Sequence, residues 1–221
     1  LDLPFDLWYL QTRTYLERLG VPQPRFFELF QQRGADDVTL SPTDEQLAAA
    51  WLGLTEVEQQ ILTGTLPGKQ SWDYWGLTEN GNSIPDPDNP ADPTANLTGT
   101  WIDVLSHVPV LLNRAAISYT ELLQLIDTRY VDPERTVGII SSVTNADSCD
   151  LSTFTVANLT REVLDRTHRF LRLWRRLGAA QGTSARLTMW ELDLLLPDTD
   201  PSPTITDKRI TATDVSKQLF D

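Results

Sequence analysis

The segment that most constrains the fold runs from Arg161 to Trp190, and above all through the string LDRTHRFLRLWRRLG (Leu164–Gly178). At 100° per residue, one broad arc of this segment is apolar and a second arc is charged. The apolar arc comprises Val163, Leu164, Phe170, Leu171, Leu173, Trp174 and Leu177, and the charged arc comprises Arg161, Asp165, Arg169, Arg172 and Arg176. With Thr160 as N-cap and Gly178 as stop, the pattern predicts a central amphipathic helix over 160–178 whose charged arc faces solvent.

One residue breaks this pattern, because Arg166 projects beside Leu173 and Leu177 at the edge of the apolar arc. A charged side chain turned toward a core needs a partner, and Glu162 has the (i, i+4) spacing to provide one. An anion site at this helix is the functional alternative. His168 lies on the boundary between the two arcs, and we interpret it as a half-buried structural side chain.

The charge balance limits the classes of partner. The 221-residue chain has a net charge of -13, whereas nucleic-acid-binding proteins usually carry a basic stripe, so we expect no nucleic-acid partner. Residues 161–176 contain six Arg and two carboxylates, which leaves a charge of -17 on the rest of the chain. We therefore expect the arginine helix to meet acidic surface of its own protein. The single cysteine, Cys149, excludes an internal disulfide and is predicted to be buried near a hairpin.

The remaining pattern is mostly helical, and it predicts a mainly α fold: an irregular helical bundle or shell fragment with a small β-hairpin. Helices are predicted over Leu3–Gly20, Arg25–Arg33, Ser41–Leu54, Thr55–Thr63, Trp101–Arg114 (with a break at Pro109), Ser118–Tyr130 and Thr188–Leu196. Two strings rich in β-branched residues flank a polar turn and predict the hairpin over 136–156. Residues 79–96 contain four prolines and predict an exposed or disordered loop. Residues 1–196 thus form the helical segment, and 197–221 form a linker and the start of a further helix.

No motif in the sequence specifies a reaction. The glycine-rich string GTLPGKQ has the wrong spacing for a phosphate loop, and it carries Gln70 where a magnesium-binding hydroxyl is needed. The acidic residues within 86–92 lack the glycine and the glutamate of a calcium loop. His107 and His168 have no metal-ligand spacing around them. We therefore predict no catalytic residue, no cofactor and no metal ligand. The side chains of Trp8, Trp51, Trp174 and Trp190 fall in apolar-periodic segments and are predicted to pack in the core.

Several long strings resemble the A component of bacterial Tc (toxin complex) insecticidal toxins. They are LPFDLWYLQTRTYLERLGVP, WLGLTEVEQQILTG, WDYWGL, VPVLLNRAAISYTELLQLIDTRYV, CDLSTFTVANLT, LDRTHRFLRLWRRLG and MWELDLLL. They occur in the family's order and cover nearly the whole chain. The resemblance implies a very large secreted polypeptide that assembles into a bell-shaped homopentamer, in which an α-helical shell encloses a translocation channel. It also implies that the toxic enzyme arrives inside a cocoon of separate B and C components. The string GAAQGTSAR, at 178–186, departs from the family's pattern.

These strings would belong to the shell, so the resemblance implies a scaffold held by the rest of the same polypeptide. Contacts with a host receptor and membrane would be made by other regions. The chain begins at Leu1 and its only methionine is Met189, so we expect a piece of a longer protein, and it shows no signal peptide or transmembrane run. The first alternative is a module that binds a cell-surface glycan or protein through the 79–96 loop and the Trp72–Trp75 cluster. The second alternative is a sialidase-like glycosidase, although no sialidase repeat is present.

Overall fold

The computed structural model describes residues 4–33, 42–87, 89, 92, 94–141, 150–180 and 187–196. These residues are mainly helical with small antiparallel sheets, which confirms the predicted fold class. They separate into two compact units, one formed by Pro67–Leu171 and the other by Asp2–Leu66 with Arg172–Asp221. The predictions for Cys149 and for 197–221 lie outside the described residues, as does most of 178–186.

The elements follow the predicted order with shifted ends. In chain order the helices are α1 (Leu7–Arg18), α2 (Gln23–Arg33), α3 (Asp44–Leu52), α4 (Glu56–Thr63), α5 (Trp101–Ser106), α6 (Val108–Ala115), α7 (Tyr119–Ile126), α8 (Arg161–Ala180) and α9 (Met189–Leu195). The strands are β1 (Asn82–Pro85), β2 (Asn96–Gly99), β3 (Gly138–Ser141) and β4 (Phe154–Ala157), and short 3₁₀ helices cover Ser71–Trp75 and Leu151–Thr153.

Local capping chemistry fixes where several helices begin. At each of these starts, the hydroxyl of a Ser or Thr cap residue accepts a hydrogen bond from the backbone N–H of the residue three positions later. The side chain of that later residue accepts a hydrogen bond from the backbone N–H of the cap residue. The pairs are Thr43–Gln46, Thr55–Glu58, Thr100–Asp103, Ser118–Glu121 and Thr188–Glu191. The predicted break in the fifth helix occurs at His107, which ends α5 and precedes α6, and Pro109 lies in the first turn of α6.

In the unit formed by Pro67–Leu171, helices α5, α6 and α7 and the first part of α8 each contribute buried apolar side chains. Leu105, Val108 and Leu164 are fully buried in this unit, and each buried side chain of this size contributes roughly 1.5–3 kcal/mol. The predicted hairpin is present as β3 paired antiparallel with β4, from Gly138 opposite Ala157 to Ser141 opposite Phe154. An isolated β-bridge joins His107 to Thr155, next to this hairpin.

The prediction of a loop throughout 79–96 is wrong at both of its ends. Strand β1 pairs antiparallel with β2, from Asn82 opposite Gly99 to Pro85 opposite Asn96. The buried Asn82 side chain explains why an otherwise loop-like composition forms strands, since its amide bonds the backbone of Thr78 and of Gly99. A local side-chain network of this kind replaces the apolar alternation that sequence patterns detect.

The unit that contains Asp2–Leu66 and Arg172–Asp221 has a core formed by α3, α4, α9 and the last part of α8. Its buried side chains include Ala48, Ala49, Leu52, Leu62, Leu173, Leu177, Met189 and Leu192. Helix α2 contacts α3 and also α1. None of the residues of α1 is fully buried, so this helix lies at the edge of the unit. It begins at Leu7, later than the predicted start at Leu3, because the Asp6 carboxylate accepts a hydrogen bond from the N–H of Tyr9 and caps the helix.

Helix α8 is the longest helix among the described residues, and it ends later than the sequence predicts. Thr160 caps its start by accepting a hydrogen bond from the N–H of Val163. The helix continues through Gly178 to Ala180, so the prediction of a stop at Gly178 is wrong. A glycine inside a helix costs roughly 1 kcal/mol relative to alanine, which the packing of the rest of α8 offsets.

Candidate functional site

A polar cluster on α8 is centred on the carboxylate of Asp165. Oδ1 of this carboxylate lies 3.0 Å from Nε2 of His168, and Oδ2 accepts a hydrogen bond of 2.5 Å from Nη2 of Arg169. Nε of Arg169 also donates to the backbone carbonyl of Asp165 at 3.3 Å. The spacings (i, i+3) and (i, i+4) place all three side chains on one face of the helix. A carboxylate can only accept, so Nε2 of His168 carries the proton in this arrangement.

The 3₁₀ helix Ser71–Trp75 packs against this cluster. The Tyr74 ring stacks on the His168 ring with centroids 4.4 Å apart, and the Ser71 hydroxyl donates to Oδ1 of Asp165 at 3.4 Å. Nε of Arg161, one turn earlier on α8, donates to the Ser71 hydroxyl at 3.3 Å, and its guanidinium lies 5.4 Å from the centre of a Trp72 ring. The segment Ser71–Trp75 thus supplies one hydroxyl and two aromatic rings that contact Arg161, Asp165 and His168 of α8.

Burial and electrostatics act in opposite directions on Asp165. Burial alone would raise the pKa of its carboxyl, but the hydrogen bond from His168 and the positive charge of Arg169 outweigh burial and hold the pKa below its usual value. The carboxylate therefore stays ionised near neutral pH. The Arg169 and His168 side chains are almost fully buried, at 2% and 0% exposure, so the charge of Asp165 compensates a cation inside the protein.

The cluster lacks the order of contacts that nucleophilic catalysis needs. A nucleophile must bond the base, and the base must bond the group that orients it. Here the Ser71 hydroxyl contacts Asp165 and not His168, and the His168 ring is enclosed by Tyr74 on one face. The geometry is that of a buried polar network that fixes one helix against a neighbouring segment.

A second polar contact anchors the later part of α8 to the turn between α3 and α4. Nε of Arg176 donates to the carbonyl of Leu52 at 3.3 Å, and its Nη2 donates to the carbonyl of Gly53. Nη1 of Arg176 lies 3.9 Å from Oε1 of Glu58, whose other oxygen accepts the N–H of Thr55 at 2.6 Å. A cation at the end of α3 is favourable because the carbonyls there carry the negative end of the helix dipole.

The structure corrects the predicted orientation of the arginines. Arg169 and Arg172 are 2% and 6% exposed, although both were predicted to lie on the solvent-facing arc. Arg166 is only half-buried, Glu162 is exposed, and these two described side chains form no ion pair with one another. The predicted buried pair of Arg166 with Glu162 is therefore wrong, and Asp165 provides the buried counter-charge instead. The prediction that His168 is half-buried is also wrong, since its ring is fully buried.

The tryptophans divide between core and surface. Trp174 is half-buried rather than fully buried in the core, and its Nε1 donates to the carbonyl of Leu187 at 2.6 Å. The side chains of Trp8, Trp51 and Trp190 are 79%, 42% and 67% exposed, so the prediction of core packing is wrong for these three. Apolar periodicity locates one face of a helix, but it does not show whether a neighbour covers that face.

Within the described ranges, no group of three or more His, Cys, Asp and Glu side chains is arranged to hold a metal ion. None of the described helices is at once long and apolar enough to span a bilayer.

Comparison of the chain with models of known families, with characterised proteins and with solved structures found no match. The structure itself defines the class as a mainly helical protein with small antiparallel sheets and a buried polar network on its longest helix.

Sequence reasoning missed Asp165 as the centre of the network, although a signal was present. Asp165, His168 and Arg169 have the spacing of interacting helical side chains, and the same reasoning was applied only to Glu162 and Arg166. The anchor formed by Arg176 had no such signal. Its partners are backbone carbonyls more than 120 residues away, and no side-chain pattern marks them.

Proposed function

We propose that this chain is a scaffold segment in the outer α-helical shell of a Tc-toxin A subunit, a pore-forming toxin that translocates an enzyme carried by other components. The observation that carries the proposal is the ordered set of strings that resemble this family over nearly the whole chain. The mainly helical fold agrees with a shell segment.

The positions of these strings in the structure support a structural role. The string LDRTHRFLRLWRRLG supplies Leu164, Phe170 and Leu171 to the core and holds the Asp165 network. The string WDYWGL supplies buried Trp75 and the Tyr74 ring that stacks on His168 of this network. Residues that serve packing and helix fixation are what a scaffold requires, whereas a binding or catalytic string would present its polar groups to an open cleft.

The proposal includes the partners that the resemblance implies. The segment would be held by the rest of the same large polypeptide in a secreted homopentamer, and the assembly would take up B and C components. The host receptor and membrane would be contacted by other regions. In this role the segment has no catalysis of its own, and its work is to keep the shell closed and rigid around the channel.

The glycan-binding alternative loses part of its motivation. Trp75 is 2% exposed, Tyr74 stacks on His168, and Trp72 lies beneath Arg161, so the aromatic cluster is used within the protein. A sugar platform needs aromatic faces that are open to solvent. The glycosidase alternative needs two carboxyl groups that face each other across a cleft, and Asp165 is instead bonded to the side chains of Arg169 and His168.

Two experiments test the proposal. In the full-length polypeptide that contains this segment, Asp165→Asn should lower the fraction of bell-shaped pentamers counted by negative-stain electron microscopy. The pentamers that the Asp165→Asn variant still forms should bind the receptor as well as pentamers of the unchanged polypeptide do. The matched control, Arg166→Ala, changes a half-exposed residue of the same helix and should leave assembly unchanged. Saturable binding of the 221-residue chain to a glycan array or to cells, turnover of sialosides, or a native reading frame no longer than this chain would overturn the scaffold role.

A further inference from the structure

The turn that precedes β1 contains the only Asn-Gly pair of the sequence, Asn80 followed by Gly81. Both residues are exposed, and the turn lies between the buried side chains of Leu77 and Asn82. Gly81 has a φ of +71°, which lies in the left-handed region that glycine adopts without steric cost. A Cβ added at Gly81 would meet no atom within 4 Å, so solvent has access to this position.

The two groups of this pair that can react with each other are both unbonded. Within the described ranges, neither the side-chain amide of Asn80 nor the backbone N–H of Gly81 takes part in a hydrogen bond. The backbone carbonyl of Asn80, which lies between them, accepts a hydrogen bond from the Thr78 hydroxyl at 2.8 Å. The Asn80 side chain is therefore able to rotate toward the nitrogen of Gly81.

Asn82, two residues later, has the opposite surroundings. Its side chain is 7% exposed, its Oδ1 accepts the N–H of Thr78 at 2.9 Å, and its Nδ2 donates to the Thr78 carbonyl at 2.7 Å. The residue after it, Ser83, carries a side chain and belongs to β1, where it lies opposite Thr98. An amide fixed by such bonds does not rotate toward the following backbone nitrogen. Two asparagines of one turn thus differ sharply in their freedom to react.

From these observations we propose that Asn80 is a site of spontaneous deamidation, at which the backbone nitrogen of Gly81 attacks the side-chain carbonyl carbon of Asn80. The Gly81 nitrogen loses its proton to hydroxide and forms a bond to Cγ of Asn80, which closes a five-membered imide ring. The bond from Cγ to the side-chain nitrogen breaks, and this nitrogen takes up a proton and leaves as ammonia. Water then adds to one of the two imide carbonyls and opens the ring, so that position 80 becomes aspartate or isoaspartate. The reaction consumes only water and does not depend on the proposed function.

The modification changes the turn at the start of β1. Either product adds a negative charge next to Glu79, in a chain whose net charge is already -13. Isoaspartate also adds one atom to the backbone inside the turn that Asn82 closes through its bonds to Thr78 and Gly99. The carbonyl of Glu79 accepts the N–H of Trp101 at 3.2 Å, which links this turn to the start of α5. We therefore expect the pairing of β1 with β2 to weaken in the isoaspartate form.

Peptide mapping by mass spectrometry tests the proposal. The folded protein is incubated at mildly alkaline pH and physiological temperature, and Asn80 should lose its amide before any other described asparagine does. The rate should rise with pH, because the attacking group is the deprotonated nitrogen of Gly81. Both isoaspartate and aspartate should appear at position 80, since the imide opens at either carbonyl, whereas direct hydrolysis of the amide yields aspartate alone. Asn80→Gln should remove the modification, because the longer side chain would have to close a six-membered ring.

Asn113 is the matched control within the same protein. Its side chain is also exposed, but it lies in α6 and is followed by the bulky Arg114, so it should keep its amide over the same time. Hydrogen exchange should be faster in β1 and β2 of the isoaspartate form than in the unmodified protein. Loss of the Asn113 or Asn82 amide as fast as that of Asn80, aspartate without isoaspartate at position 80, or unchanged exchange in both strands would each overturn the proposal.

Discussion

Neutralising Asp165 tests whether the buried network on α8 stabilises the fold. The substitution Asp165→Asn keeps the shape of the side chain and removes its charge. Position 165 then no longer offers a carboxylate to Arg169, whose side chain is only 2% exposed. The hydrogen bond from Nε2 of His168 to position 165 also becomes weaker. Breaking a buried ion pair from one side costs about 3–5 kcal/mol. We expect the lower end, about 3 kcal/mol, because Nε of Arg169 keeps its bond to the backbone carbonyl and Asp165 is 24% exposed.

Urea unfolding at neutral pH, followed by tryptophan fluorescence, measures this loss. With a slope of roughly 2–3 kcal/mol per molar urea, a loss of about 3 kcal/mol lowers the unfolding midpoint by about 1 M. Arg166→Ala is the control on the same helix, and its midpoint should stay close to that of the unchanged chain. A change of less than about 0.5 kcal/mol for Asp165→Asn would refute the reasoning, since only a solvated pair is worth so little.

The pH dependence of the stability loss caused by Asp165→Asn gives a second, independent test of the network. The pKa of Asp165 is lower in the folded protein than in the unfolded chain, so its stabilising contribution is fully present above the ordinary aspartate pKa of about 3.9. That contribution is lost as the pH falls through the lowered folded value. The difference in stability between the unchanged chain and Asp165→Asn should therefore persist near pH 7 and shrink below pH 4. A difference that grows on acidification would contradict the assigned direction of the pKa shift.

Two further substitutions separate buried from exposed features. Arg172→Ala should lower the free energy of unfolding by about 1–3 kcal/mol because the Arg172 side chain is only 6% exposed. Arg166→Ala should change it by no more than about 0.5 kcal/mol, because Arg166 is only half-buried. Equal losses for both variants in urea unfolding would show that the observed orientation of α8 is wrong. Gly53→Ala should destabilise by roughly 1–3 kcal/mol, because Gly53 ends α3 at a φ of +65° and an added Cβ would meet the Arg13 side chain. Thermal unfolding measures this loss, and an unchanged Tm would contradict it.

The sequence predicted the helices and the hairpin of 136–156 because both depend on local patterns. Capping residues such as Thr55 and Glu58 mark a helix start without reference to the rest of the fold. The sequence-based prediction failed where a neighbouring segment determines whether a side chain is buried. The charged arc of α8 was assigned to solvent, yet Arg169 is buried and Asp165 neutralises its charge. The apolar face of α1 was assigned to the core, yet no part of the described chain covers Trp8.

The two polar anchors of α8 should contribute independently to stability. Asp165 and Arg176 are eleven residues apart, about 16 Å along the helix at 1.5 Å per residue, and the hydrogen bonds described above for them share no partner. Losses at sites more than about 10 Å apart usually add to within roughly 0.5 kcal/mol. Arg176→Ala alone should cost about 1.5–3 kcal/mol, because it removes charge-assisted bonds to the carbonyls of Leu52 and Gly53. A double-mutant cycle in urea should then give a coupling near zero. A coupling well above 1 kcal/mol would contradict independence. It would mean that losing the contacts at one end of α8 also weakens the contacts at the other end.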